Sequence, residues 1–379
     1  MCSDFKSVEF VLIRNVKVTG FSIIICCYNS SARLPETLRH IAALDTKGLE
    51  VEVIVVDNAS KDNTADAAKS EWASHPSAIS FQVVHQPIPG LAAARNMGVA
   101  TSRHELLLFC DDDNWLDRTF LQHSAARLQQ LPNVAILGGI SEAVCETTPP
   151  HWFQRIGEAY AVGRQGSATG KAWVLWGAGM VLRKSALLEL EAAGFTNLLS
   201  DRKGNNLTSG GDHELCWAIR LIGYDLWFDE ALHLRHFVPK ERLTESYLRR
   251  LIRSTAYCVL GLQPYQSIIE RDIQSVAEIN RFIFFRKSIR QLVEVAKAIL
   301  NFELLRAIAS DDLPTKLRIA RSLRMAWIYA TSTGELMDNT RRVLDLRGRV
   351  FSRRTASTTN ASTSQPCLQS PSSPLVSIN

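Results

Sequence analysis

The stretch Leu106-Leu-Leu-Phe-Cys-Asp-Asp-Asp113 decides the fold class, because five apolar residues run directly into three carboxylates. An unbroken apolar run of this length reads as a strand covered on both faces. The same arrangement recurs upstream. Phe21 to Tyr28 is a largely apolar run followed by Asn29-Ser30-Ser31, Val51 to Val56 is a second ending in Asp57-Asn58-Ala59-Ser60, and Ile79 to Val84 is a third. Between them lie segments with helical spacing. Leu34, Leu38 and Ile41 are spaced four and three apart with Pro35 early in the segment, Asp62-Asn63-Thr64 opens a segment through about Trp72, and Gly90 to Ala100 follows Pro87-Ile88-Pro89. Strands that alternate with helices and end in polar clusters predict an α/β, doubly wound sheet, whose ligands bind at the carboxyl ends of its strands.

Beyond Pro149-Pro150 the pattern loosens, then recovers. An apolar run covers Trp173 to Leu182, helices are expected from about Lys184 to Ala193 and Asp212 to Ile222, and a strand around Leu226 to Phe228. A polar loop, Ser200 to Gly211, separates the two helices. From about Thr244 to Arg349 the chain is helix-compatible and basic. The reading therefore divides the chain into an N-terminal extension (1–20), an α/β body (21–243), a basic helical extension (244–350) and a Ser/Thr-rich tail (351–379) expected to be disordered.

The chain has 379 residues and a formal net charge of +5. That sum conceals an asymmetry: residues 1–239 carry 21 Lys+Arg against 26 Asp+Glu, and residues 240–354 carry 22 against 12. The two parts call for separate explanations. The eight cysteines show no Cys-x-x-Cys spacing, which argues against a zinc knuckle. No apolar stretch approaches the roughly 18–20 residues of a membrane span, and the first 20 residues lack a signal-peptide pattern. A cytoplasmic protein is expected, soluble or peripheral at the inner face of the cell membrane.

Three adjacent aspartates repel one another and raise each other's pKa values, so a compensating cation is expected. A divalent ion such as Mn²⁺ or Mg²⁺, held by one or two carboxylates and substrate phosphates, is one solution. An acidic turn that caps a helix near Leu116 is the other. Asp57 falls on the same edge of a parallel sheet, as an acceptor for a base or ribose or as an Asx turn with Asn58. Arg95 can fork onto a diphosphate or make an ordinary ion pair. Asp212, opening a helix, can serve as a base or as a cap, with Glu214 the alternative base.

The order of these features resembles bacterial family 2 glycosyltransferases, inverting enzymes with the GT-A fold. The resemblance rests on Ile-Ile-Ile-Cys-Cys-Tyr-Asn (23–29), Val-Ile-Val-Val-Asp-Asn-Ala-Ser-Lys-Asp-Asn-Thr (53–64), Pro-Gly-Leu-Ala-Ala-Ala-Arg-Asn-Met-Gly (89–98) and the 106–113 stretch. It continues through Trp-Gly-Ala-Gly-Met-Val-Leu-Arg-Lys-Ser-Ala (176–186), Ser-Gly-Gly-Asp-His-Glu-Leu-Cys-Trp-Ala-Ile-Arg-Leu-Ile-Gly-Tyr (209–224) and His-Phe-Val-Pro-Lys-Glu-Arg-Leu-Thr (236–244). The resemblance implies that Asp57 meets the donor's base, Arg95 its diphosphate region, and Asp111 and Asp112 the donor. It assigns Asp113 and His236 to the metal and Asp212 to general base catalysis. The implied reaction is metal-dependent sugar transfer from a nucleotide sugar, UDP-linked by default, to a glycan or lipid-linked acceptor in cell-surface polysaccharide synthesis. Gly211 departs from the Glu that commonly precedes the base.

The alternatives are a sugar-nucleotidyltransferase, disfavoured by the lack of a Gly-rich triphosphate loop, and a catalytically silent scaffold of the same fold. For the basic extension, with Arg249, Arg250, Arg253, Arg281, Arg286, Lys287, Arg290, Arg318, Arg321 and Arg324 among apolar residues, two readings stand. One is peripheral contact with an anionic membrane; the other is packing on the core or a second subunit. No motif points to nucleic acid, and the sequence does not set the oligomeric state.

Overall fold

The computed structural model describes residues 18–199, 210–278 and 281–362, and the side chains of 276, 281 and 356–362 are outside that description. The expected 1–20 extension falls mostly outside the described residues, as do positions 200–209 of the expected polar loop. Strand β1 (Gly20–Cys27) leads through helix α1 (Leu34–Ala42) to β2 (Glu50–Asp57), α2 (Thr64–Ala73), β3 (Ser80–His85), α3 (Leu91–Thr101) and β4 (Leu106–Asp111). These elements match the alternation read from the sequence to within a residue or two. There follow β5 (Asn114–Leu116), α4 (Phe120–Gln130), β6 (Val134–Cys145), β7 (Gly170–Ala172), β8 (Met180–Arg183), α5 (Lys184–Ala192), α6 (Gly211–Leu221) and β9 (Asp225–Val238).

The strands form one mixed sheet in the order β3-β2-β1-β4-β8-β6-β9-β5, with β7 paired to β9. β1 to β4 are mutually parallel where they pair, and β8 runs antiparallel between β4 and β6. Alternation of side chains along each strand supplies two cores. Ile23, Ile25, Val53 and Val55 face α1, α2 and α4, whereas Ile24, Ile54 and Val56 face α3, α5 and α6. Parallel strands need both faces covered, which is why these runs are almost wholly apolar.

Two expectations change here. Leu116 does not open a helix; it lies in β5, and α4 begins at Phe120. The short strand expected at 226–228 is the start of β9, which continues for 14 residues alongside β6. The length of β9 was hidden because its polar residues, such as Arg235 and His236, break the apolar pattern while the backbone remains paired.

The basic extension is helical: α7 (Glu245–Thr255), α8 (Val259–Arg271), α9 (Arg281–Leu300), α10 (Glu303–Ala309), α11 (Leu313–Thr331) and α12 (Thr333–Ser362). Ile268 of α8 and Leu336, Val343, Leu346 and Val350 of α12 join the same core as α5 and α6. Residues 351–362 of the expected disordered tail are helical, because α12 continues to Ser362. Arg354 fixes that extra length by a fork onto Glu189 of α5, at 2.5 and 3.0 Å. The rest of the expected tail, 363–379, is outside the described residues.

Candidate functional site

The parallel register sets Asp57 beside Cys27 and Asp111 beside Cys26, so both carboxylates end up at one edge of the sheet. Asp57 is mostly buried; its Oδ1 accepts the Ser60 amide at 3.2 Å, an Asx-type contact, and its Oδ2 lies 3.8 Å from His85 Nδ1. Asn58 holds the neighbouring loop in place. Its side-chain amide donates to the carbonyls of Gln86 and Ile88 and its oxygen accepts the Gly90 amide, so the β3–α3 connection is held at the start of α3.

The three aspartates separate by role. Asp112, expected to contact the donor, is turned inward: Arg33 Nη2 donates to it at 2.6 Å, the Ser30 hydroxyl donates to the same oxygen, and its backbone oxygen accepts from Thr37 at 2.9 Å. It ties the β4–β5 turn to the start of α1. Asp113 is buried between a guanidinium and an imidazole. Arg242 Nη1 lies 3.0 Å from its Oδ2 and His236 Nε2 3.5 Å from its Oδ1. Burial alone would raise the Asp113 carboxyl, but His236 and Arg242 outweigh it and hold the group well below the usual carboxylate range. Asp111 lacks such direct partners among the described residues, and burial together with the charge of Asp113 pushes its carboxyl up to about 6, against an opposing contribution from Arg95.

The second half of the site comes from α3 and α6. Arg95 lies over the Phe109 ring, 5.0 Å from its centroid, and its Nη1 donates to Asp212 Oδ1. The Gly177 amide donates to Asp212 Oδ2 at 3.0 Å. Burial raises the Asp212 carboxyl, Arg95 and Gly177 lower it by more, and the net shift is downward, so the group is ionised. Glu214 differs sharply. It is fully buried and accepts the Leu198 and Leu199 amides at 2.7 and 2.9 Å and the Tyr265 hydroxyl at 3.4 Å. A carboxylate so enclosed anchors the chain after α5 and has no access to a substrate hydroxyl, which removes it as the alternative base.

The structure thus brings Asp57, Arg95, Asp111, Asp113, Asp212 and His236 to one side of the sheet and withdraws Asp112. Arg33, Gly177 and Arg242 escaped the sequence reading. Two of them had a signal: Gly177 and Arg242 sit inside the motif stretches 176–186 and 236–244.

The chemistry of the Asp113–His236 pair bears on a divalent ion. Among the described residues no three His, Cys, Asp or Glu side chains are gathered to ligate a metal. A carboxylate and an imidazole nonetheless supply hard oxygen and nitrogen donors, and His236 Nδ1 is buried with no hydrogen-bond partner. Such a pair fits an ion that completes its shell from substrate phosphates.

Residues 22–190 match the family model "Glycosyl transferase family 2". Among curated proteins, the putative glycosyltransferase EpsH of Bacillus subtilis is 29% identical over 107 residues, covering 28% of this chain and 30% of its own length. Poly-beta-1,6-N-acetyl-D-glucosamine synthase of Staphylococcus epidermidis is 22% identical over 242 residues, covering 62% of this chain and 54% of its own length. The chain thus spans about a third to a half of the length of these two curated relatives. Among solved structures, S. aureus TarS 1-349 aligns at 15% identity with a TM-score of 0.45, covering 89% of this chain and 92% of the other. With the motif order and the sheet-edge carboxylates in place, the match over 22–190 establishes that the chain carries a glycosyl transferase family 2 domain.

Proposed function

We propose that the chain is an inverting glycosyltransferase that moves a sugar from a nucleotide-diphosphate donor, UDP-linked by default, to a hydroxyl of a glycan or lipid-linked acceptor. Residues 21–243 form its transferase unit, and it acts in the cytoplasm or at the inner face of the cell membrane in cell-surface polysaccharide assembly. The observation that carries this reading is the Asp212 carboxylate, ionised at the first turn of α6 between Arg95 and the Gly177 amide. A relative named for poly-N-acetylglucosamine synthesis makes UDP-N-acetylglucosamine the first donor to assay.

In this reading Asp57 accepts from the donor base and Asp111 from its ribose. Asp212 takes the acceptor proton as the hydroxyl oxygen attacks the anomeric carbon; the bond to the diphosphate breaks on the opposite face, inverting the configuration. Arg95 serves two anions. Without donor it pairs with Asp212, which lowers that carboxylate's basicity; a diphosphate drawing the guanidinium away would restore it when an acceptor must be deprotonated. Asp113 and His236 would hold a divalent ion, Mn²⁺ or Mg²⁺, which when bound supplies charge to offset the departing nucleoside diphosphate.

A thermal-shift screen of the full chain against nucleotide sugars, with and without Mn²⁺, followed by nucleotide-release assays on the hits, tests the reading. Stabilisation by one nucleotide sugar and release of its nucleotide, abolished by Asp212→Asn in a folded variant, is expected. Pyrophosphate release from a nucleoside triphosphate would support a nucleotidyltransferase instead. Donor binding with no turnover on any acceptor would support a scaffold.

A further inference from the structure

The helical extension has two sides with different character. α8 and α12 pack on the transferase core, whereas α9 to α11 form an outer layer with its own small core around Val295, Ala298 and Ile319. On this outer layer the usual rule of burial fails. Of the 17 exposed large hydrophobic side chains among the described residues, 12 lie between Phe282 and Trp327.

Helix α9 has three faces. Phe284, Ser288, Val295 and Ala298 form a buried seam, with Ser288 donating to the Ala326 carbonyl of α11 at 2.8 Å. Counted round the helix from that seam, Phe282, Phe285, Ile289, Leu292, Val293 and Leu300 fall within a sector about 100° wide. All six are exposed, Phe282 at 69% and Leu300 at 75%. Arg286 and Arg290 run along the border of this sector and make no ion pair among the described residues. The sector follows the helix for its whole 20 residues, about 30 Å. Leu323 and Trp327 of α11, one turn apart, add exposed apolar surface beside it.

We infer that this face is a docking surface for an anionic lipid bilayer, on which α9 lies in the plane of the interface. Three observations favour a bilayer over other occupants. The apolar sector is bordered by cationic side chains, the arrangement that buries apolar groups at the acyl boundary and places charge among anionic headgroups. Among the described residues no helix is long and apolar enough to cross a membrane, so the contact is surface binding. An antiparallel, face-to-face contact between two copies of α9 would bring both arginine borders to the same side, which like-charge repulsion opposes. The structure also narrows the sequence expectation for the basic residues: Arg249 pairs with Glu245 and Arg318 with Glu303, and Arg321 and Arg324 bond Thr255 and Tyr257. Arg286 and Arg290 of α9 are the exposed arginines that border the apolar sector itself.

The inference is independent of the transfer reaction and is tested without it. Co-sedimentation of the full chain with vesicles of phosphatidylcholine alone, and of phosphatidylcholine with phosphatidylglycerol, is expected to show binding chiefly to the anionic vesicles, weakened by salt. The double variant Phe282→Ser/Phe285→Ser should lower the partition coefficient by at least about tenfold. Arg286→Glu/Arg290→Glu should reduce anionic binding by at least about tenfold, towards that on phosphatidylcholine. These side chains are exposed, so both variants should keep the wild-type thermal midpoint. Wild-type protein that fails to sediment with anionic vesicles overturns the proposal without recourse to any variant. So does unchanged binding by folded variants, or a wild-type dimer that the phenylalanine variant dissociates while vesicle binding is absent, which would make this face an interface between copies.

Discussion

Gly177→Ala should disable Asp212, the proposed base, without touching it chemically. A β-carbon at Gly177 would lie 2.4 Å from Asp212 Oδ2 and 2.7 Å from Arg95 Nη2. Ordinary contact between such atoms is about 3.5 Å, so the carboxylate or the glycine backbone must move by about 1 Å. The Gly177 amide holds that same oxygen at 3.0 Å, so a shift that relieves the clash also lengthens the bond. A misplacement of about 1 Å at a reacting group costs on the order of 100-fold in rate, which corresponds to about 2.7 kcal/mol of barrier. The cost to stability should be smaller, about 1 kcal/mol, because the Asp212 side chain is 32% exposed and can yield towards solvent. The assay is nucleotide release by the purified full chain at saturating donor and acceptor, beside a thermal melt. A kcat near one hundredth of wild type with a nearly unchanged donor KM is expected. If Asp212→Asn is inactive and Gly177→Ala keeps a kcat close to wild type, the displacement argument is wrong; if both stay active, Asp212 is not the base.

Glu214→Gln should lower stability by about 1–3 kcal/mol in urea melts, since an amide nitrogen would replace one of two acceptors for the Leu198 and Leu199 amides. It should leave the pH–rate profile in place, whereas loss of the acidic limb, where a base loses its proton, would reinstate Glu214 as the base. Arg242→Ala removes the guanidinium beside buried Asp113 and should cost about 2–3 kcal/mol, with weaker donor binding seen in thermal shifts; an unchanged midpoint would count against the pair's structural weight. Glu52 is a buried carboxylate on β2 that accepts the Ser22 hydroxyl at 2.7 Å and the Arg103 amide at 2.6 Å. Burial raises its pKa, but these bonds and Arg103 lower it further, so the folded value lies below the ordinary 4.5. The unfolded chain therefore takes up the proton first, and the stabilisation is present above pH 4.5 and lost as pH falls through the folded value. Urea midpoints measured at descending pH should drop over that window, and Glu52→Gln should flatten the decline.

The α/β half of the chain was legible because its information is local. The apolar runs ending in Asp57 and Asp111 identify strands, and parallel pairing, which helical crossovers between successive strands imply, places both carboxylates on one edge. The motif order carried the family, and six of the seven residues it singled out lie together at one edge of the sheet. What the sequence did not determine is which charges meet. Arg95 and Asp212 are 117 residues apart, and Arg242 and Asp113 are 129 apart; such pairs leave no periodic trace. Adjacent Asp112 and Asp113 look alike in the chain, yet the tight β4–β5 turn directs one to Arg33 and the other to His236 and Arg242. The outer face of α9 is the converse case. Its sequence is compatible with a core helix, and only the packing of α11 along one seam, with nothing among the described residues over Phe282, Phe285 and Leu300, leaves that apolar surface in water. Local spacing determines what an element is, whereas burial and charge pairing depend on what the rest of the chain brings against it.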